Sequence, residues 1–244
     1  MPFTFVHPSV VIPLRRFASK FSMTALIIGS IAPDFEYFLR LRFLSNFSHF
    51  IPGIFWFDLP VTIILCFIFH LLIKKSLLNN LPKAIYGRFT NLLEVNWNKY
   101  FISHIPIIIY SALIGISIHI AWDALTYKQG YFMISIDFLN NYISITGYKL
   151  HFYKIFKYLS DTAGTIYIFY IIFKIPVNKE VIRKNKYIWI YWTGTIIITS
   201  TVLLIRFLTG LKWEMENSII IISISGFMIG ITIMGIAYLV WMKE

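Results

Sequence analysis

Residues 100–122 read YFISHIPIIIYSALIGISIHIAW, 23 consecutive positions without a lysine, arginine, aspartate or glutamate. A helix rises about 1.5 Å per residue and a bilayer core is about 30 Å thick, so a run of this length is read as a membrane span. Pro106 falls in its first turns, where a proline costs least. Residues 187–205 and 217–242 are further uncharged runs of spanning length, joined around Gly210. Residues 59–73, extended back through Trp56 past Asp58 and stopped by Lys74 and Lys75, form another. Residues 162–175 are apolar but short, and a snorkelling Lys174 ahead of Pro176 lets them count as a further span. Of all 244 residues 58% are hydrophobic and 14% charged, which excludes a soluble globule. The fold class expected is all-α, a polytopic transmembrane helical bundle with about five spans.

Working outward, residues 21–33 are apolar for only thirteen positions before Asp34 and Glu36 interrupt them. That length suits a short N-terminal re-entrant or interfacial helix. Residues 77–99 mix Asn79, Asn80, Pro82, Gly87, Arg88 and Glu94 and read as an exposed loop, with a short interfacial helix within it as the alternative. Residues 123–161, with Asp123, Lys128, Asp137, Lys149, Lys154, Lys157 and Asp161 broken by Gly130 and Gly147, read as a polar excursion. Two domains are expected, residues 1–175 carrying a metal site and residues 176–244 forming a transmembrane hairpin. The net charge is +11, but its 22 lysines and arginines are scattered between apolar runs, so they act as topology signals and not as a nucleic-acid surface. They divide eleven against eleven between the two faces of the membrane. The compact loops 74–100 and 174–186 carry five each, which places the N-terminal face outside the cytoplasm. Cys66 is the one cysteine, so neither an intrachain disulfide nor a Cys-based metal site is available. The N-terminus lacks the uninterrupted apolar stretch of a signal peptide, and no removable targeting segment is expected.

Ionisable groups beside apolar spans are expensive and mark function. His119 stands four residues before Asp123 at the end of the second span, so one helix face presents an imidazole and a carboxylate. Roughly one chain of this composition in four carries such a pair by chance, and on spacing alone a hydrogen bond at the helix end is the better explanation, so its neighbours decide. His49 precedes the first span, which runs antiparallel to the second and therefore delivers His49 to the same membrane face. Asp34 follows Pro33 at a helix-to-turn junction and supplies the fourth donor. His7, before Pro8, is read as a fifth ligand or as the holder of a second ion, with an interfacial capping histidine as the equal alternative. His70 suits a contact between helices, His104 lies about 22 Å along the helix from His119, and His151 falls in the polar excursion. Glu36 and Asp161 are read as solvated or cation-paired groups, with a supporting role at the metal as the alternative. A His, His, Asp, Asp set without cysteine suits zinc, with manganese or iron as alternatives. No serine-hydrolase elbow, phosphate loop or H-E-x-x-H helix competes.

Phe3-Thr4-Phe5, His7-Pro8, Leu14-Arg15-Arg16, Gly29-Ser30-Ile31-Ala32-Pro33-Asp34-Phe35-Glu36-Tyr37-Phe38, Ser48-His49 and Trp56-Phe57-Asp58-Leu59-Pro60 together resemble a bacterial membrane family known as domain of unknown function 4184. His119-Ile120-Ala121-Trp122-Asp123 with Thr126, and the stretch from Tyr153-Lys154 to Tyr158, continue the pattern, so the resemblance covers roughly residues 2–175. That family is similar to membrane-bound metal-dependent hydrolases and, more distantly, to zinc-dependent phospholipase C. The resemblance implies His49, His119 and Asp123 as ligands of one ion, Asp34 as a ligand or the general base, and His7 on a neighbouring ion that shares Asp123. It implies a multi-pass protein of the bacterial cell membrane hydrolysing a phosphoester or lipid-like substrate. The alternative is a non-catalytic membrane protein, a cation carrier or assembly partner, with the same cluster in a structural role. Tyr127 stands where the family carries a histidine, and His151 has Ile155 four residues on instead of an acid. Both departures argue against a three-metal site and leave room for an inactive member.

Overall fold

The computed structural model describes residues 4–126, 141–145, 148–178, 187–210 and 216–241. Tyr127, Lys128, Gly130, Asp137 and Gly147, which figure in the sequence reading, lie outside them. Among the described residues the fold is all-α apart from one hairpin, and four helices are long and apolar enough to cross a membrane: Ile51–Asn80, Ile105–Thr126, Ile188–Leu208 and Ser218–Trp241. The segment read as a further span belongs to the helix Phe152–Lys174, whose first half carries Lys154, Lys157 and Asp161. Its uncharged part therefore stays short.

Local chemistry explains where the expected boundaries shift. The run 100–122 is two helices, Trp97–Ser103 and Ile105–Thr126, because Pro106 has no N–H to donate and disfavours helical geometry before it. His104 absorbs the break at φ −133°. The stretch 77–99 is mostly helical and not an exposed loop, because its polar residues serve as caps. The buried Asn80 amide donates to Ser76 O at 2.8 Å, Pro82 immediately precedes the helix Lys83–Leu93, and Asn96 Oδ1 accepts from Lys99 N at 3.1 Å to start the next. The polar excursion contains an antiparallel hairpin, Tyr142–Ile145 with Tyr148–His151, in which Tyr142 faces His151. Helix Met23–Gly29 is too short to cross and is followed by a 3₁₀ turn, Ala32–Asp34.

The chain divides into two compact units. The first comprises Met1–Asp34, Phe47–Ile63 and Ile105–Ile171, and the second Phe35–Asn46, Ile64–His104 and Ile172–Glu244. In the first, helix Met23–Gly29 lies so close on Ile105–Thr126 that a Cβ on Gly115 would meet Leu26 O at 2.4 Å and Ser30 N at 2.9 Å. In the second, the last two spans pack against each other, Trp192 donates to Asn80 O at 2.8 Å and Asn79 donates to Tyr238 Oη at 2.8 Å. Glu36, read as a solvated or cation-paired surface group, is cation-paired but 2% exposed: it accepts from Arg40 Nε at 2.8 Å, Asn46 N at 2.9 Å and Ser45 Oγ at 3.2 Å, so it clamps the loop after its own short helix. His70 is also buried, stacked on Trp97 with ring centroids 4.3 Å apart.

Candidate metal centre

Three segments of the first unit meet at one point. Asp34 ends the 3₁₀ turn that follows Pro33, and His119 and Asp123 come one turn apart from the end of Ile105–Thr126. His49 is delivered by a tight loop whose backbone adopts φ +67° at His49 itself, a conformation uncommon for a residue with a Cβ. Gly53 makes that loop possible, since a Cβ there would come within 1.9 Å of Phe47 O. Such strain persists only where surrounding structure imposes it, and it clusters at functional sites.

One ligand atom from each of Asp34, His49, His119 and Asp123 lies within 4.8 Å of every other. His49 Nε2 stands 3.3 Å from His119 Nε2, 3.5 Å from Asp34 Oδ1 and 3.4 Å from Asp123 Oδ2. His119 Nε2 stands 3.7 Å from Asp34 Oδ1 and 3.6 Å from Asp123 Oδ2. A tetrahedral ion with bonds of about 2.1 Å separates its ligand atoms by about 3.4 Å, so these spacings fit a small four-coordinate cation. The outer nitrogens agree. His119 Nδ1 donates to the Ser30 carbonyl at 2.7 Å, which fixes the tautomer and turns an Nε2 lone pair inward, and His49 Nδ1 is engaged by Ser48 Oγ at 2.9 Å. Two carboxylates and two inward imidazoles therefore form a buried group that could hold a metal ion.

His7 joins the cluster from outside the set of four. Its Nε2 lies 3.2 Å from Asp123 Oδ1 and its ring stacks on His119 with centroids 4.0 Å apart. Glu36 and His104 belong to the second unit, and His151 sits opposite Tyr142 in the hairpin. Asp161 lies in the helix Phe152–Lys174, outside the set. The sequence reading missed three supports: the Thr4 hydroxyl, which donates to Asp34 Oδ2, the Ser30 carbonyl and the Ser48 hydroxyl. Backbone carbonyls and lone hydroxyls carry no periodic signal, and only the adjacency of Ser48 to His49 hinted at one.

Electrostatics follow from burial. Desolvation pushes the Asp34 carboxyl up, but the imidazoles of His119, His49 and His7 outweigh it, against Asp123, and hold it below its ordinary value. For His49, desolvation favours the neutral ring, yet hydrogen bonds to Asp123 and Asp34 raise its pKa from 6.5 to about 9. In the metal-free protein the His49 contribution to stability is thus full below pH 6.5 and is lost as pH rises through about 9. Asp34 works the other way, contributing above the ordinary carboxylate range and losing its contribution as pH falls through its lowered value. Metal binding reverses the His49 dependence, because the ring must shed its proton to become a ligand. Affinity should therefore rise about tenfold per pH unit between roughly 6.5 and 9. Competition titrations at several pH values check this, and a flat affinity would contradict it.

The comparisons extend the picture beyond geometry. No curated protein and no solved structure matches the chain. One family model matches residues 1–237, well past the 2–175 carried by the recognised motifs. The chain, with its apolar spans and its buried Asp, His, His, Asp cluster, belongs to the family described as Domain of unknown function (DUF4184).

Proposed function

We propose that this protein is a metal-dependent hydrolase acting on a phosphoester or lipid-like substrate at the membrane surface, with zinc as its ion. The convergence of the four ligand atoms, all within 4.8 Å of one another, carries this reading. His49, His119 and Asp123 hold the ion, and Asp34 completes the set. When bound, a zinc-type ion supplies the Lewis acidity that lets water ionise near neutral pH. For catalysis Asp34 Oδ1 would have to give up the ion to water and then act as the proton acceptor, while Thr4 keeps Oδ2.

The surroundings favour a substrate from the bilayer. His49 precedes the span Ile51–Asn80 by two residues and Asp123 lies near the end of Ile105–Thr126, so the site stands at a membrane boundary. The two members with solvent access are His49 and Asp123, 20% and 14% exposed. Around His49 the chain exposes Phe47, Phe50, Ile51, Phe55 and Trp56, side chains that settle among lipid headgroups and acyl chains. The compact basic loops of the opposite side support a non-cytoplasmic position for this face.

A second reading has one observation behind it. All four positions of the set are filled by protein, the pattern of a structural metal site. Detergent-purified protein should contain stoichiometric metal and should hydrolyse phospholipid in mixed micelles, with loss on chelation and recovery on adding zinc. Stoichiometric metal without hydrolysis would favour the structural reading, and protein without metal would end both.

A further inference from the structure

We propose that Thr4 and His7 determine which metal the centre accepts, by occupying the outer oxygen of each carboxylate. The inference rests on the metal reading above. Asp34 turns Oδ1 toward His49 and His119, while its Oδ2 accepts the Thr4 hydroxyl. Asp123 turns Oδ2 toward the same two imidazoles, while its Oδ1 lies 3.2 Å from His7 Nε2. Each carboxylate is left with one free oxygen for the ion.

The two braces come from one turn. Thr4–Val6 is a 3₁₀ helix, a geometry in which side chains three apart eclipse, so Thr4 and His7 face the same way. Both are 1% exposed. His7 Nδ1 lies 3.1 Å from the Thr4 carbonyl, so both ring nitrogens face acceptors. We assign His7 the Nε2–H form, which donates to Asp123 Oδ1. The turn is held in turn by the helix Phe152–Lys174, where Gly164 lets the backbone approach Val6 and Ser9; a Cβ there would meet Val6 Cγ1 at 2.3 Å.

Two nitrogens and two single carboxylate oxygens make four donors, the number tetrahedral zinc takes. Manganese and magnesium demand about six, mostly oxygen, and would need bidentate carboxylates or additional waters. By keeping Oδ2 of Asp34 and Oδ1 of Asp123 engaged, Thr4 and His7 withhold the additional oxygens. Removing either donor frees an oxygen and relaxes the site toward higher coordination.

The test uses the full chain in detergent, loaded with cobalt(II), whose visible absorption is intense in four-coordinate sites and weak in six-coordinate ones. Thr4→Val keeps the side-chain shape without the donor, and His7→Phe keeps the stacking on His119. Each should weaken zinc binding about 10–100-fold, raise manganese affinity relative to zinc, and lower the cobalt band. Thr4→Ser retains the hydroxyl and should keep the parental spectrum and selectivity, which guards against a fold defect in Thr4→Val. Unchanged cobalt spectra and zinc-to-manganese ratios in Thr4→Val and His7→Phe would overturn the proposal alone. So would a Thr4→Ser protein that shifts as Thr4→Val does. An unmodified protein that binds none of the three ions would overturn it together with the metal reading.

Discussion

Protein purified with His119→Ala should carry less than about a tenth of the metal bound by the unmodified chain, a loss at least as large as that from deleting an outer-shell support. His119 is fully buried and sets three of the measured spacings in the cluster, to His49, Asp34 and Asp123. Without it two carboxylates face each other with one imidazole fewer between them, and His7 loses its stacking partner. Breaking a buried charged pair costs about 3–5 kcal/mol, so the thermal midpoint should fall as well. Asp123→Ala should do the same, because Asp123 contacts all three histidines of the cluster. His104→Ala is the control: its ring stacks on Tyr100 in the other unit, and metal content should not change. Elemental analysis of the purified variants decides, and parental metal content in His119→Ala and Asp123→Ala would remove the metal reading.

Gly115→Ala should destabilise the protein and empty the site although Gly115 touches no ligand. Its Cβ would meet backbone, Leu26 O at 2.4 Å and Ser30 N at 2.9 Å, so no side chain can swing aside. The short helix Met23–Gly29 must then move off Ile105–Thr126, taking with it the Ser30 carbonyl that holds His119 Nδ1. Overpacking of this kind costs about 1–3 kcal/mol, and a shifted outer support lowers metal affinity roughly 10–100-fold. Gly210→Ala makes the comparison. Gly210 has φ +89° but open space around its Cβ position, so Gly210→Ala should lose about 1 kcal/mol of stability to backbone strain with metal content intact. Thermal unfolding in detergent with parallel metal analysis separates the two. A Gly115→Ala protein with the parental midpoint and metal content would show that the close approach does not position the site.

Much of the candidate centre was legible in the chain because its donor residues sit at chemically marked places. His119 and Asp123 share a helix face by spacing alone, Asp34 follows a proline at the end of an apolar helix, and His49 stands at the start of a span. What could not be read is how the ligands are oriented. His49 depends on a left-handed backbone made possible by Gly53, and His119 depends on a carbonyl 89 residues away in sequence. His7 and Thr4 were visible as residues, but their roles as braces appear only when the turn Thr4–Val6 is laid beside both carboxylates. The loop reading of residues 77–99 failed for a related reason. Asn80, Pro82 and Asn96 serve equally as breakers and as caps, and only packing chooses between them.

By itself the chain determined that this protein is helical and membrane-embedded, because long uncharged apolar runs have no other stable home and the backbone in hydrocarbon must satisfy its own hydrogen bonds. It also determined which side chains were chemically able to bind a cation. Tertiary structure alone decided that one donor atom each from Asp34, His49, His119 and Asp123 lies within 4.8 Å of the others, and that Thr4 and His7 lie against the two carboxylates. Metal chemistry turns on differences of a few tenths of an ångström, and those are set by close packing between segments far apart in the chain.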